Sequence, residues 1–349
     1  MLRLGCGLAV VLWLVAPAGA NEPFGQETVE VRPWRHPSET KPRHRHNHSA
    51  EHAHSPGRTH PAGSSRGHKP ERQTRSHDGD RHGHDDEGVE TEHLFGFTMG
   101  SDIDPPGHRH VIADLDGRFG KGAGSYAAVS KQLEYAFTPW RDFHVGLGAA
   151  FAAHRISGVQ GLEDVRQGTF EGVSLELRQR FLDRKQAPFG LTLTAEPHWA
   201  RVDEVSGERA KKFGVGFNLA ADQELVKDWL YGAINLTYEP EWVRIRSTGE
   251  SERASSVGAS GALMFQVIPS VLVGGEVRYL RAYEGAALNT FAGEAMFLGP
   301  ILYANVTSNV ALVAAYSGQV TGRPADGSAK LDLQNFERHR ARLKAVISF

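Results

Sequence analysis

Residues 129–152, VSKQLEYAFTPWRDFHVGLGAAFA, decide the fold. Before the turn Thr138-Pro139-Trp140-Arg141-Asp142, Val129, Leu133, Tyr135 and Phe137 take one face and Ser130, Gln132, Glu134 and Ala136 the other. After it, Phe143, Val145, Leu147, Ala149 and Phe151 oppose His144, Gly146, Gly148, Ala150 and Ala152. Successive side chains of a strand point to opposite faces, so a period of two marks strands with one apolar face and one polar or small one.

The same texture runs outward to the C-terminus. Val173, Leu175 and Leu177 oppose Ser174, Glu176 and Arg178; Phe213, Val215, Phe217 and Leu219 oppose Gly214, Gly216 and Asn218. The last strand sets Ala341, Leu343, Ala345, Ile347 and Phe349 against Arg340, Arg342, Lys344 and Ser348. Connectors alternate in length: short near 138–142, 182–187, 222–228, 267–270 and 306–309, long near 155–167, 202–211, 244–254, 281–290 and 321–333. Short turns at one end and long loops at the other are the habit of transmembrane barrels; a soluble sandwich has no reason to alternate so regularly. Counting back from Phe349 predicts an all-β, antiparallel up-and-down transmembrane barrel of twelve strands over 108–349, with the twelfth at 334–349. Leu94 to Ile103 is then a lead-in, and fourteen strands stay open as the alternative.

The N-terminal twenty residues read as a signal peptide: Arg3, the apolar run Leu8–Ala16, and the small-x-small pattern Ala18-Gly19-Ala20. Cys6 lies within it and ahead of the apolar run, so the mature chain has no cysteine and no lipidation site of the lipoprotein type. Disulfides, thiolate metal sites and cysteine nucleophiles are excluded. No other apolar run reaches the length of a transmembrane helix, so a membrane location requires a closed barrel. With 39 basic and 41 acidic residues the chain has no basic footprint for nucleic acid.

Residues 21–93 differ from everything after them. They are dense in His, Arg, Pro, Gly, Ser and Asp and too poor in apolar residues to offset the entropy of ordering, which predicts disorder. Twelve of the 18 histidines lie between His36 and His93. His44, His46 and His48, His52 and His54, and His82 and His84 stand two residues apart, the last pair beside Asp85, Asp86 and Glu87. Neutral imidazoles on a flexible chain suit Zn²⁺, Ni²⁺ or Cu²⁺, with ligation weakening as the rings protonate below about pH 6. A spacer is the plainer use of the same residues. No cofactor is otherwise implied.

Several segments carry a resemblance: Phe95-Gly96-Phe97-Thr98 through Gly107, Arg118-Phe119-Gly120 with Gly124-Ser125-Tyr126, Phe137-Thr138, Leu236-Thr237-Tyr238-Glu239-Pro240-Glu241-Trp242, Phe297-Leu298-Gly299-Pro300, and the closing strand. Over about 94–349 the chain resembles an uncharacterised proteobacterial family of outer-membrane barrels, loosely grouped with transporter-like barrels. The resemblance implies the fold and an outer-membrane location, without an activity. The C-terminal Phe349 on an alternating strand resembles the signal read by the machinery that inserts such barrels. The expected partners are that machinery and outer-membrane lipids, for a monomeric barrel.

One internal repeat has chemistry in it. Glu196-Pro197-His198-Trp199 and Glu239-Pro240-Glu241-Trp242 share the pattern E-P-x-W on strands separated by one other. Parity points Trp199 and Trp242 outward and Glu196, His198, Glu239 and Glu241 into the lumen, close enough to converge on one cation. The plainer expectation is that the prolines form bulges and that the carboxylates pair with the lumen arginines Arg178, Arg278, Arg340 or Arg342. An enzyme is not expected: no barrel histidine is followed at the second position by serine, and no nucleotide-binding or zincin motif is present. Two functional readings remain, a channel for small solutes and a closed binding barrel whose lumen is plugged by salt bridges and Leu94–Pro106.

Overall fold

The computed structural model describes residues 89–349 apart from Thr248. The signal peptide and the tract containing His44, His46, His48, His52, His54, His82 and His84 lie outside the described residues. The strands are β1 (Arg109–Phe119), β2 (Ser125–Trp140), β3 (Phe143–Ser157), β4 (Val165–Leu182), β5 (Gly190–Val202) and β6 (Arg209–Val226). They continue as β7 (Leu230–Ile245), β8 (Ser251–Ile268), β9 (Val271–Glu284), β10 (Thr290–Thr307), β11 (Val310–Pro324) and β12 (His339–Ser348). Each pairs antiparallel with its sequence neighbours, and β1 closes onto β12. Closure leaves no sheet edge unpaired. The seam runs from His110 opposite Ser348 to Phe119 opposite His339, and the Phe349 N–H donates to the Arg109 carbonyl at 3.0 Å. Twelve strands complete the circle, so the fourteen-strand alternative is excluded.

The alternation read from the sequence is the inside and outside of this barrel. Leu133, Leu147, Ile234 and Leu236 are each more than half exposed on the outer face. Glu134, Arg178, Asn235, Glu276 and Arg278 are buried on the inner one. That inversion of the usual soluble pattern follows from parity on every strand. At one end the turns are tight, and Arg141-Asp142 joins β2 to β3 with Asp142 at φ 65°, a left-handed conformation that Asp tolerates through its short polar side chain.

The connectors are shorter than the sequence suggests at the other end. The expected loops 155–167, 202–211 and 244–254 shrink to 158–164, 203–208 and 246–250, because the ladder continues through polar pairs such as His154 with Gln167 and Arg155 with Arg166. The connector 325–338 is the exception. It runs beyond the expected start of the last strand at 334 and folds into the mouth, where Asp332 is fully buried and Phe336 meets Phe297 edge-to-face.

Candidate functional site

The lead-in is an inserted segment. Residues 89–107 pass into the lumen from the short-turn end, with Leu94 and Phe95 buried against Tyr231, Met264, Leu272, Tyr303 and Val313 of the wall. It includes Thr91, Glu92 and His93, ahead of the Leu94 boundary expected from the sequence. Backbone without a ladder still needs hydrogen-bond partners when buried, and wall side chains supply them. Glu276 accepts from the N–H groups of Phe97 (3.0 Å) and Thr98 (3.1 Å). Asn235 accepts from the Met99 N–H (2.6 Å) and donates to its carbonyl (2.9 Å). The Ser101 hydroxyl donates to Asp222, and the Thr192 hydroxyl donates to the Ser101 carbonyl at 2.6 Å. Arg178, almost fully buried, donates to Glu92 at 2.6 Å and to the Gly100 carbonyl at 2.9 Å.

Close approach explains two glycines. A Cβ on Gly190 of β5 would stand 1.8 Å from Ser101 Oγ, and one on Gly100 would stand 1.9 Å from the Thr91 carbonyl oxygen. Below the segment, Arg184 of the 183–189 turn donates to Asp102 (2.8 Å) and to the Val89 carbonyl (2.6 Å). Burial pushes the Asp102 carboxyl up, but the hydrogen bonds and charge of Arg184 outweigh it and hold the group below its usual range.

Above the segment lies a cavity of about 720 Å³, floored by Glu92, His93, Phe97 and Met99 and reaching Ser255, Phe336 and Glu337 at the long-loop end. A second, of about 420 Å³, shares several of its lining residues. Phe97 stands among three guanidinium groups, Arg278 at 4.0 Å, Arg340 at 5.1 Å and Arg342 at 5.9 Å from its ring. Two of these are neutralised within the wall: Arg340 by Asp116 (2.8 Å) and Arg342 by Asp114. From β2 to β7 the wall is acidic. Glu134, Glu176, Glu196 and Glu239 face the cavity, and none has an arginine or lysine within ion-pair distance among the described residues.

Residues 87–349 match a family model described as a family of unknown function, DUF6662. The chain belongs to the DUF6662 family. No curated protein matches it in sequence. Among solved structures, the COG4313 outer membrane channel from Pseudomonas putida F1 is similar at 13% identity, with 71% of this chain and 98% of that one covered and a TM-score of 0.49. The NanC porin is similar at 10% identity, covering 67% and 98%, with a TM-score of 0.38. The translocator domain of the autotransporter NalP from Neisseria meningitidis follows at 12% identity, covering 71% and 91%, with a TM-score of 0.41.

In the DUF6662 barrel the E-P-x-W repeat faces as parity predicts. Trp199 and Trp242 lie outside, each against Phe213 of the intervening strand. Inside, His198 Nε2 is 3.9 Å from Glu239 and 3.7 Å from Glu241, while Glu196 lines the same cavity without joining that group. Two expectations are corrected. Among the described residues no lumen arginine pairs with these carboxylates, because Arg178 is held by Glu92, Arg340 and Arg342 by the β1 aspartates, and Arg278 lies on Phe97. Lys212, unnoticed in the sequence, takes Glu241 at 2.6 Å and Glu204 at 3.6 Å. Nor do the prolines form bulges: Pro197 pairs in register with Val215 and Pro240 with Ser255. Each simply lacks a ladder pairing on its other side, where a single missing N–H donor is accommodated without slipping the register.

Proposed function

We propose that this is an outer-membrane barrel of a Gram-negative bacterium that admits small cationic solutes to its lumen, with residues 89–107 governing their passage to the periplasm. The observation that carries the reading is the wall of Glu134, Glu176, Glu196 and Glu239. Carboxylates lining a confined lumen without arginine or lysine partners give it a negative potential that favours cations over anions. The location is supported by the outer face. Tryptophans mark both rims, Trp140 and Trp229 at the short-turn end and Trp199 and Trp242 at the other. From Trp229 to Trp242 the strand climbs roughly 30 Å along the barrel axis at ~3.3 Å per residue and a tilt of ~45°, the thickness of a hydrocarbon core. The histidine tract, which leads into Val89, serves in this reading to capture Zn²⁺, Ni²⁺ or Cu²⁺ on the periplasmic side; its support is the close spacing of its imidazoles.

Planar bilayers under a tenfold KCl gradient test the proposal. The open state is expected to reverse near the K⁺ equilibrium potential, and the quadruple change of Glu134, Glu176, Glu196 and Glu239 to Gln is expected to move the reversal toward zero. An anion-selective open state in the unaltered protein contradicts the assignment.

A further inference from the structure

At the floor of the cavity, the inserted segment and the first strand bring three potential ligands together. Glu92, His93 and His110 each offer a ligand atom, and these atoms all lie within 4.8 Å of one another. Glu92 and His110 are buried to better than nine-tenths. Glu92 Oε2, His93 Nε2 and His110 Nε2 have no hydrogen-bond partner among the described residues. Three residues clustered so closely, each with an orphaned buried polar atom, are costly unless something else binds those atoms.

The surroundings fit a cation. The other ring nitrogen of His110 faces Asp104 Oδ2 at 3.1 Å. A ring that donates its Nδ1 proton to that carboxylate presents its Nε2 lone pair, the arrangement that orients ligating histidines. The other oxygen of Glu92 is fixed by Arg178 at 2.6 Å. The ring centroid of His144 lies 5.3 Å from that of His110, and Lys344 lines the same cavity as Glu92 and His93.

We infer that Glu92, His93 and His110 form a site for a divalent transition-metal ion of the Zn²⁺ class, which fastens the inserted segment to β1. Two imidazoles and a carboxylate are a donor set suited to Zn²⁺, and ligand atoms at 2.0–2.2 Å from an ion stand roughly 3.4 Å apart, so a small inward movement of the side chains completes it. Three protein ligands leave a coordination position toward the cavity, whose floor Glu92 and His93 line. The site rests on its own residues, and holds whether or not the barrel conducts or the tract binds metal.

The test uses the full mature chain in which the eleven histidines from His36 to His84 are replaced by Gln. Zn²⁺ alone is titrated against a chromogenic chelator, and Co²⁺ serves as an absorption probe. About one equivalent of Zn²⁺ is expected. His93→Ala and His110→Ala should weaken binding at least tenfold, Asp104→Asn by about 10- to 100-fold, and His339→Ala not at all. Absence of stoichiometric Zn²⁺ binding tighter than about 100 µM in the parent overturns the site without any variant at the ligands. So does undiminished affinity in the His93 and His110 variants. The migration of unheated protein in SDS shows that each variant is folded. Additional equivalents bound by the chain with its histidines intact report on the tract separately.

Discussion

Arg178→Ala is expected to free the inserted segment from the lumen while leaving the barrel closed. Arg178 has about 1% of its surface exposed and holds Glu92, the Gly100 carbonyl and, at 3.4 Å, the Asp102 carbonyl. Removing it leaves the Glu92 carboxylate buried without its partner, a loss on the order of 3–5 kcal/mol for a buried pair broken on one side. The barrel ladder does not pass through these contacts, so the loss falls on the segment. Hydrogen exchange reads it directly: protection of the amides of Thr98, Met99 and Ser101 should drop by about a hundredfold or more. Arg178→Lys, which keeps the charge but not the forked geometry, should fall between. Unchanged exchange in Arg178→Ala would mean that the segment is held by its apolar contacts and by Glu276, Asn235, Asp222 and Arg184 without need of Arg178.

The second large effect is on the outer face. Leu236, 60% exposed on β7, faces outward beside Leu219 of β6 and Ala259 of β8, near the middle of the strands. Leu236→Arg should destabilise the folded barrel by about 2–4 kcal/mol if that face meets hydrocarbon. Thr237, the next residue, faces the lumen with Asn218, and Thr237→Arg should cost far less. The comparison is made by urea titration in lipid vesicles, following tryptophan fluorescence. In a water-facing barrel the order would reverse, since an exposed leucine is then freely exchanged for arginine.

The barrel is legible in the sequence because its determinant is local. Each strand needs only its own neighbours to establish parity, and residues 129–152 already contain two strands and their turn. Parity also put His198, Glu239 and Glu241 inside, and their convergence follows from two strands carrying the same motif at the same height. What depends on three-dimensional encounter was hidden. Lys212 reaches Glu241 from the intervening strand, and its only sequence signal is its inward parity with Gly214 and Gly216. Arg178 also reads as inward, but its partner Glu92 sits on a segment without periodicity, so nothing in the sequence joins them. The same holds for His93 and His110, which lie on either side of Pro105-Pro106 and meet only because the segment doubles back into the lumen. Alternation likewise overestimated the loops, because ladders continue through polar pairs beyond the apolar band.

The role of residues 89–107 as the closing element is tested most directly by unitary conductance in planar bilayers, comparing the mature chain with one lacking those residues. The intact chain is expected to stay closed for most of the record, and the shortened one to show frequent steps of uniform size. Equal conductance in the two contradicts closure by this segment, and no steps in either contradicts passage through the lumen.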